Sequence, residues 1–282
     1  MIIVTGASGR FGRAVVDRLA EHVPIDQLGV SVRDPEKAVD LAARGVRVRR
    51  GDFGDPDSLA YAFEGATQVL IVSGPADPEP HHVAIDLAKT AGAERILYTS
   101  HQAANPDSLF VATRGHAATE QDLAGSGVPF TALRNGFYAS TPVFLLRSAL
   151  ETGELILPED GPFSWTAHRD LADAAALALT EPGRLDGITP ALTGPDLFDY
   201  ADVAAIASEL VGRKITRVTV PDEEWKRAAL DRGMPEFLAD LTLGIFAAAR
   251  QGEFAVVDPT LPVLLGRPAT TLREVLATEL TA

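Results

Sequence analysis

Three glycines, Gly6, Gly9 and Gly12, stand in the run Thr5-Gly6-Ala7-Ser8-Gly9-Arg10-Phe11-Gly12, between the apolar segment Met1 to Thr5 and a helical pattern over Arg13 to Glu21. The pyrophosphate of a dinucleotide is a dianion that must lie almost on the backbone. A glycine turn that opens a helix gives it close approach and free N–H groups. A tight strand-to-helix turn without a ligand is the competing reading, and glycines that follow a strand and open a helix favour the cradle. Thr5, Gly6, Ser8, Gly9, Arg10, Phe11 and Gly12 are accordingly candidate cofactor-binding residues.

The residue that follows the second strand bears on which dinucleotide fits. A carboxylate there accepts hydrogen bonds from the ribose hydroxyls and repels a 2′-phosphate, whereas Val30-Ser31-Val32-Arg33 ends on a cation whose planar fork can pair a phosphate. Arg33 therefore favours NADPH and leaves NADH open as a second donor; the competing reading is a solvated surface arginine. Asp34-Pro35 and Asp55-Pro56 each place a carboxylate at a helix N-cap and a proline at the first helical position, so Asp34 is read as a cap rather than a ribose ligand. Asp52 and Phe53 fit either the flank of an adenine ring or a plain turn, Gly51-Asp52-Phe53-Gly54. Ser73-Gly74 and Thr99-Ser100 close two further strands, and their backbones are expected to border the ribose and nicotinamide.

These residues need a frame that brings strand ends together. Strand-like runs at Met1 to Thr5, Leu28 to Val32, Val46 to Arg49, Gln68 to Val72, Arg95 to Thr99 and Phe130 to Leu133 alternate with helical patterns. Such alternation specifies an α/β fold, a doubly wound parallel Rossmann sheet with crossover helices on both faces. Beyond Leu133, stretches rich in Pro, Gly and Asp precede helical patterns at Tyr200 to Val211, Asp222 to Asp231 and Pro235 to Ala249. The expected division is a dinucleotide-binding core over residues 1–134 and a smaller substrate-binding lobe over 135–282, with segments returning to the core.

Composition narrows the chemistry. The 282 residues are 46% hydrophobic, enough for a full core, and the formal charge of −14 supplies no net positive field for a nucleic-acid partner. Cysteine is absent, which removes disulfides and thiolate chemistry; His81-His82 has no metal-ligand spacing, so no metal is expected. The apolar start is too short for a signal segment and no stretch approaches a membrane span, so a cytoplasmic location away from membranes is expected.

With those residues placed, the chain resembles the atypical short-chain dehydrogenase/reductases of the NmrA-like group, and within it the bacterial NAD(P)H:quinone oxidoreductases of type 2; the triphenylmethane reductases are more distant. The likeness runs over nearly the whole length. It rests on the glycine turn, Val32-Arg33-Asp34-Pro35-Glu36-Lys37-Ala38, Tyr98-Thr99-Ser100, His116 with Thr119-Glu120, Leu133-Arg134-Asn135-Gly136-Phe137-Tyr138 and Leu265-Gly266-Arg267-Pro268. The resemblance implies that Asn135, Gly136, Phe137 and Tyr138 contact the nicotinamide end and that Trp165 to Asp170 closes over the cofactor. The loop Ser73 to His82 is shorter and richer in proline than its counterpart.

Ordinary short-chain reductases carry a Tyr-x-x-x-Lys pair that protonates a nascent alkoxide. Neither Tyr98 nor Tyr138 has a lysine four residues on. A quinone or a conjugated dye cation escapes that need, because hydride addition gives a delocalised phenolate or a neutral product. The expected activity is therefore NADPH-dependent hydride transfer to a small quinone-like or conjugated aromatic substrate. A non-catalytic NADP(H)-binding redox sensor and a biosynthetic enzyme using the fold for other chemistry are the alternatives. Tyr138 and His101 are the candidate catalytic residues, each weighed against a structural role, and His116 is read as structural. Trp165, His168, Trp225, Phe237 and Phe246 fit either an aromatic substrate pocket or plain core. Folds of this kind often form homodimers through the helices flanking the sheet, and no residue singles out that surface.

Overall fold

The computed structural model describes residues 1–74 and 77–281. Pro75 and Ala76, part of the proline-rich loop after the fourth strand, lie outside the described residues. In chain order the first half runs β1 (Ile2–Thr5), α1 (Arg10–Leu19), β2 (Leu28–Val32), α2 (Val39–Ala43), β3 (Arg47–Arg50), α3 (Pro56–Phe63), β4 (Gln68–Ile71), α4 (Glu79–Thr90), β5 (Arg95–His101), α5 (Val111–Gly125) and β6 (Phe130–Asn135). The second half runs α6 (Thr141–Thr152), β7 (Glu154–Leu157), α7 (His168–Thr180), β8 (Gly187–Ile188), α8 (Tyr200–Val211), β9 (Thr216–Thr219), α9 (Asp222–Asp231), α10 (Glu236–Arg250), α11 (Thr260–Leu265) and α12 (Leu272–Thr281).

Seven strands form one sheet in the order β3-β2-β1-β4-β5-β6-β8, and β7 and β9 form a second, two-stranded sheet. Every pairing is parallel. Parallel strands need crossover helices, which cover both faces and explain why β1, β2 and β4 are almost wholly apolar and buried. One face packs against α1, α7 and α11 through Val15, Leu19, Leu171 and Leu261; the other packs against α3, α4 and α5 through Phe63, Ile85 and Leu123. The order in which strands are added reverses between β1 and β4, which opens a crevice at their carboxyl ends, where open α/β sheets bind ligands.

The start of α1 and the ends of β5 and β6 differ from the sequence expectation, each for a physical reason. Helix α1 begins at Arg10, three residues before the expected Arg13, because the turn is complete at Gly9, whose carbonyl already accepts from the Arg13 N–H at 3.0 Å. Strands β5 and β6 run two residues past Thr99 and Leu133, pairing Ser100 with Arg134 and His101 with Asn135. Those polar extensions stay in the sheet because buried Glu120 accepts from the Ser100 hydroxyl at 2.6 Å and from Arg134 at 2.9 and 2.7 Å. Hydropathy ends where the strand's apolar residues end; the hydrogen-bonded ladder does not.

Beyond β6 the chain packs around a cluster of large rings that includes Phe137, Phe163, Trp165, Tyr200, Phe246 and Phe254. Helix α7 and strand β8 then return to the main sheet, with α7 buried against α1. Arg267, in the tail motif, ties this returning helix down by donating to Asp170 at 2.7 Å and Asp173 at 2.8 Å. No helix among the described residues is long and apolar enough to cross a membrane.

Candidate cofactor site

A cavity of about 1050 Å³ lies at the β1–β4 crevice. Its floor is the glycine turn. Gly6 sits at φ +62°, a left-handed conformation that a side chain makes costly, and its carbonyl accepts from the Gly9 N–H at 2.9 Å. A Cβ at Gly12 would lie 2.6 Å from the Gly6 oxygen, so the helix approaches the turn as closely as it does only because position 12 carries no side chain. Gly9 caps α1 without a side-chain hydrogen bond, and the first-turn N–H groups are therefore left for an anion.

The turn is bordered by Thr5, Ser8, Arg10 and Phe11, and the wall beyond it carries Arg33, Asp52, Phe53, Ser73 and Gly74. All the cofactor candidates taken from the first four strands thus meet on one cavity. Asp52 does both things the sequence allowed: it lines the cavity, and its carboxylate accepts from the Gly54 N–H at 3.0 Å to close a turn. Phe53 stands edge-on to His81 at 5.8 Å. Arg33 is exposed, and no carboxylate among the described residues pairs with it. Sequence reasoning missed Lys37, a second cation on the same wall, and Ser31, whose buried hydroxyl has no hydrogen-bond partner. Lys37 was legible in part, since it lies four residues after Arg33 in a run already singled out.

The later candidates divide. Tyr138 reaches the cavity, packs against His168 with ring centroids 4.2 Å apart and planes tilted by 32°, and stacks on Phe11 at 6.3 Å. Burial pushes its phenol above the ordinary tyrosine value, with the Asn135 side chain pulling the other way, so the group keeps its proton. His168, at the start of α7, also faces the cavity, and burial with Arg10 nearby holds it down to about 4.

Thr99, Ser100, Asn135, Gly136 and Phe137 are not on the cavity wall, and most serve the frame behind it. The Thr99 hydroxyl accepts from the Ser73 N–H at 2.7 Å and donates to the Ser73 hydroxyl at 2.9 Å, holding the β4 loop in place. Ser100 is bound to Glu120, Gly136 donates to the Leu192 carbonyl at 2.8 Å, and Phe137 belongs to the aromatic cluster. Asn135 is different. It is 2% exposed and neither amide atom has a hydrogen-bond partner, an expensive condition for a buried polar group.

His101 also lies off the cavity wall. Its ring packs among His116, Phe110, Phe137 and Phe254 at 5.5 to 6.5 Å, and its Nδ1 accepts from the Ala103 N–H at 3.1 Å. Burial holds it near 3, so it stays neutral. His116 hydrogen-bonds the buried Tyr98 hydroxyl through Nδ1 at 2.7 Å. His81, set aside as a metal ligand, has a structural task that the sequence did not reveal: its Nε2 accepts from the Gly74 N–H at 3.1 Å and fixes the cavity rim. Burial pushes both His81 and His116 down to about 4.

Of the five aromatic residues with two readings, Trp165 is buried core and Phe237 is exposed. His168 faces the large cavity, while Trp225 and Phe246 line a second one.

Residues 6–182 match a family model described as NAD(P)H-binding. Over 279 residues the chain is 35% identical to Quinone oxidoreductase 2 of Escherichia coli strain K12, covering 97% of this chain and 96% of that protein. It is also 35% identical over 278 residues to an NAD(P)H azoreductase of Xenophilus azovorans, with 97% and 96% covered. Among solved structures, an NADPH-dependent quinone oxidoreductase from Escherichia coli complexed with NADPH superimposes with a TM-score of 0.93 at 33% identity, with all of both chains covered.

Proposed function

The chain belongs to the NAD(P)H-binding family, and from that premise we propose that it is an NADPH-dependent oxidoreductase that passes hydride to a quinone-like or conjugated aromatic molecule. The observation that carries the reading is the large cavity itself: a glycine turn and open helix start at one point of its wall, and three cations, Arg10, Arg33 and Lys37, around it. The residues fit the cofactor. Gly9 starts the helix with no capping side chain and leaves its first-turn N–H groups to a pyrophosphate, Arg33 and Lys37 supply charge for a 2′-phosphate, and the unpartnered Ser31 hydroxyl and Asn135 amide are polar groups awaiting partners.

When bound, NADPH supplies the hydride. Tyr138 holds a proton on its phenol oxygen at neutral pH and donates a hydrogen bond to the substrate oxygen that gains charge. His168 and Phe11 fix the plane of that phenol, Phe11 by stacking on it and His168 by packing tilted against it. Asn135, buried beside Tyr138, offers its unpartnered amide to the nicotinamide end. His101 acts through packing rather than proton transfer, since it is neutral and set back among phenylalanines. The reduced quinone needs no strong acid, because its oxygen is a phenolate that water protonates. This accounts for a site without a lysine beside its tyrosine. A small aromatic substrate, a homodimeric assembly and a cytoplasmic location belong to the same proposal.

Calorimetry with NADPH and NADH, followed by NADPH consumption with benzoquinones and naphthoquinones, tests the reading. The expected result is tighter binding of NADPH and quinone-dependent turnover. Tight binding with no turnover on any quinone or dye would point instead to a redox sensor, and absent binding of both nucleotides would overturn the assignment.

A further inference from the structure

Arg10, the first residue of α1, stands in the glycine turn and lines the large cavity, yet its guanidinium is already engaged. It donates to, and forms an ion pair with, the carboxylate of Glu279 in the last turn of α12, at the far end of the sequence. No other carboxylate among the described residues pairs with Arg10. After burial, the charges that act on the His168 ring are Arg10, which lowers its pKa, and Glu279, which raises it. The pair therefore lies beside the wall that His168 and Tyr138 share.

Helix α12 does not depend on that pair for its place. Leu272 and Leu276 are buried in the aromatic cluster beyond β6, the Thr271 N–H donates to the Glu274 carboxylate at 2.8 Å, and Arg273 pairs with Glu209 of α8 at 2.6 Å. These contacts hold the first turns of the helix, and Glu279 takes part in none of them. What Glu279 does instead is bring a negative charge to the edge of an anion cradle.

Two anions then have one cation between them. The uncapped start of α1 leaves its N–H groups to a pyrophosphate, and the Arg10 side chain is rooted on the first residue of that start. A guanidinium pairs a phosphate through parallel charge-assisted hydrogen bonds, as it does a carboxylate, and a dinucleotide's bridge carries two negative charges against one on Glu279. The existing pair is also well solvated, with 52% of the Arg10 side chain and 24% of the Glu279 side chain exposed, and ion pairs in such places hold weakly. Glu279 is thus displaceable, but it lowers the affinity of whatever displaces it.

We propose that the Arg10 side chain binds the pyrophosphate of the dinucleotide and that Glu279 is a built-in competitor for it, so that the C-terminal helix sets cofactor affinity below what the cradle alone would give. The inference rests on the dinucleotide reading of the large cavity and is independent of which molecule accepts the hydride.

Glu279→Gln keeps the shape of the side chain and removes its charge. Calorimetry should show NADPH, NADH and ADP each bound about three- to fivefold more tightly by this variant, the range expected for release from a part-exposed ion pair. Binding of 2′-AMP, which has no pyrophosphate, should match the parent and serves as the check on folding. Arg10→Gln should weaken the three pyrophosphate ligands by about tenfold, as loss of a hydrogen bond to a charged group does. Combined with Glu279→Gln, it should remove most of the gain that the second change gives alone. Weaker or unchanged binding of the three ligands by Glu279→Gln, an equal gain for 2′-AMP, or the full gain persisting without Arg10 would each overturn the proposal. The cofactor reading fails separately, by absence of nucleotide binding in parent and variants alike.

Discussion

The two ends of the cavity solve the same problem, holding a polar ligand at the edge of a parallel sheet, by opposite means. At β1 and β2 the work falls to backbone: Gly6 turns the chain, Gly12 lets the helix close on it, and the helix start stays uncapped. At β5 and β6 it falls to side chains buried behind the wall, where Glu120 gathers Ser100 and Arg134, Thr99 holds Ser73, and His81 holds Gly74. Backbone solutions need one residue type at fixed spacing, whereas side-chain solutions draw partners from distant parts of the chain.

Gly12→Val should give the largest effect. The new side chain collides with the Gly6 carbonyl, overpacking costs about 1–3 kcal/mol, and a turn displaced to relieve it should lose NADPH affinity by about 100-fold in calorimetry. Normal binding by this variant would end the claim that the backbone end is the rigid one.

Acid should act on the side-chain end next. His81, His116 and His168 are held near 4 and His101 near 3, all below the ordinary histidine value of about 6.5. As pH falls below that value the unfolded chain takes up protons that the folded protein refuses, so stability is full above about 6.5 and is lost down to about 4. The slope is up to about 1.4 kcal/mol per pH unit for each histidine. Urea unfolding at stepped pH measures it, and a flat profile between 6.5 and 4 would show that these histidines are not held neutral.

Asn135→Leu separates ligand binding from stability. Because the amide has no partner, its replacement by an apolar group should leave the melting temperature unchanged or higher, while kcat/KM for quinone reduction falls by about 10–100-fold. A large loss of stability would mean that the amide serves the frame. Smallest in effect, Arg33→Ser should weaken NADPH by about tenfold and leave NADH within about twofold, as expected for one exposed cation sharing a phosphate with Lys37. Equal losses for both nucleotides would remove the 2′-phosphate from the account of this wall.

Residues alone determined the sheet, the order of its first six strands' elements, the glycine turn and the cation after β2, because each depends on local periodicity or on the absence of a side chain at a given position. The N-caps at Asp34 and Asp55 were legible for the same reason, and both accept from backbone N–H groups as their spacing requires. Only tertiary structure decided that Thr99, Ser100 and His101 stand behind the cavity instead of on it, that His81 rather than His101 touches its rim, and that Trp225 and Phe246 enclose a space while Trp165 fills one. Those outcomes depend on which partners meet from positions tens of residues apart, such as Phe254 against His101 and α6 against α10. Local sequence carries no record of such meetings.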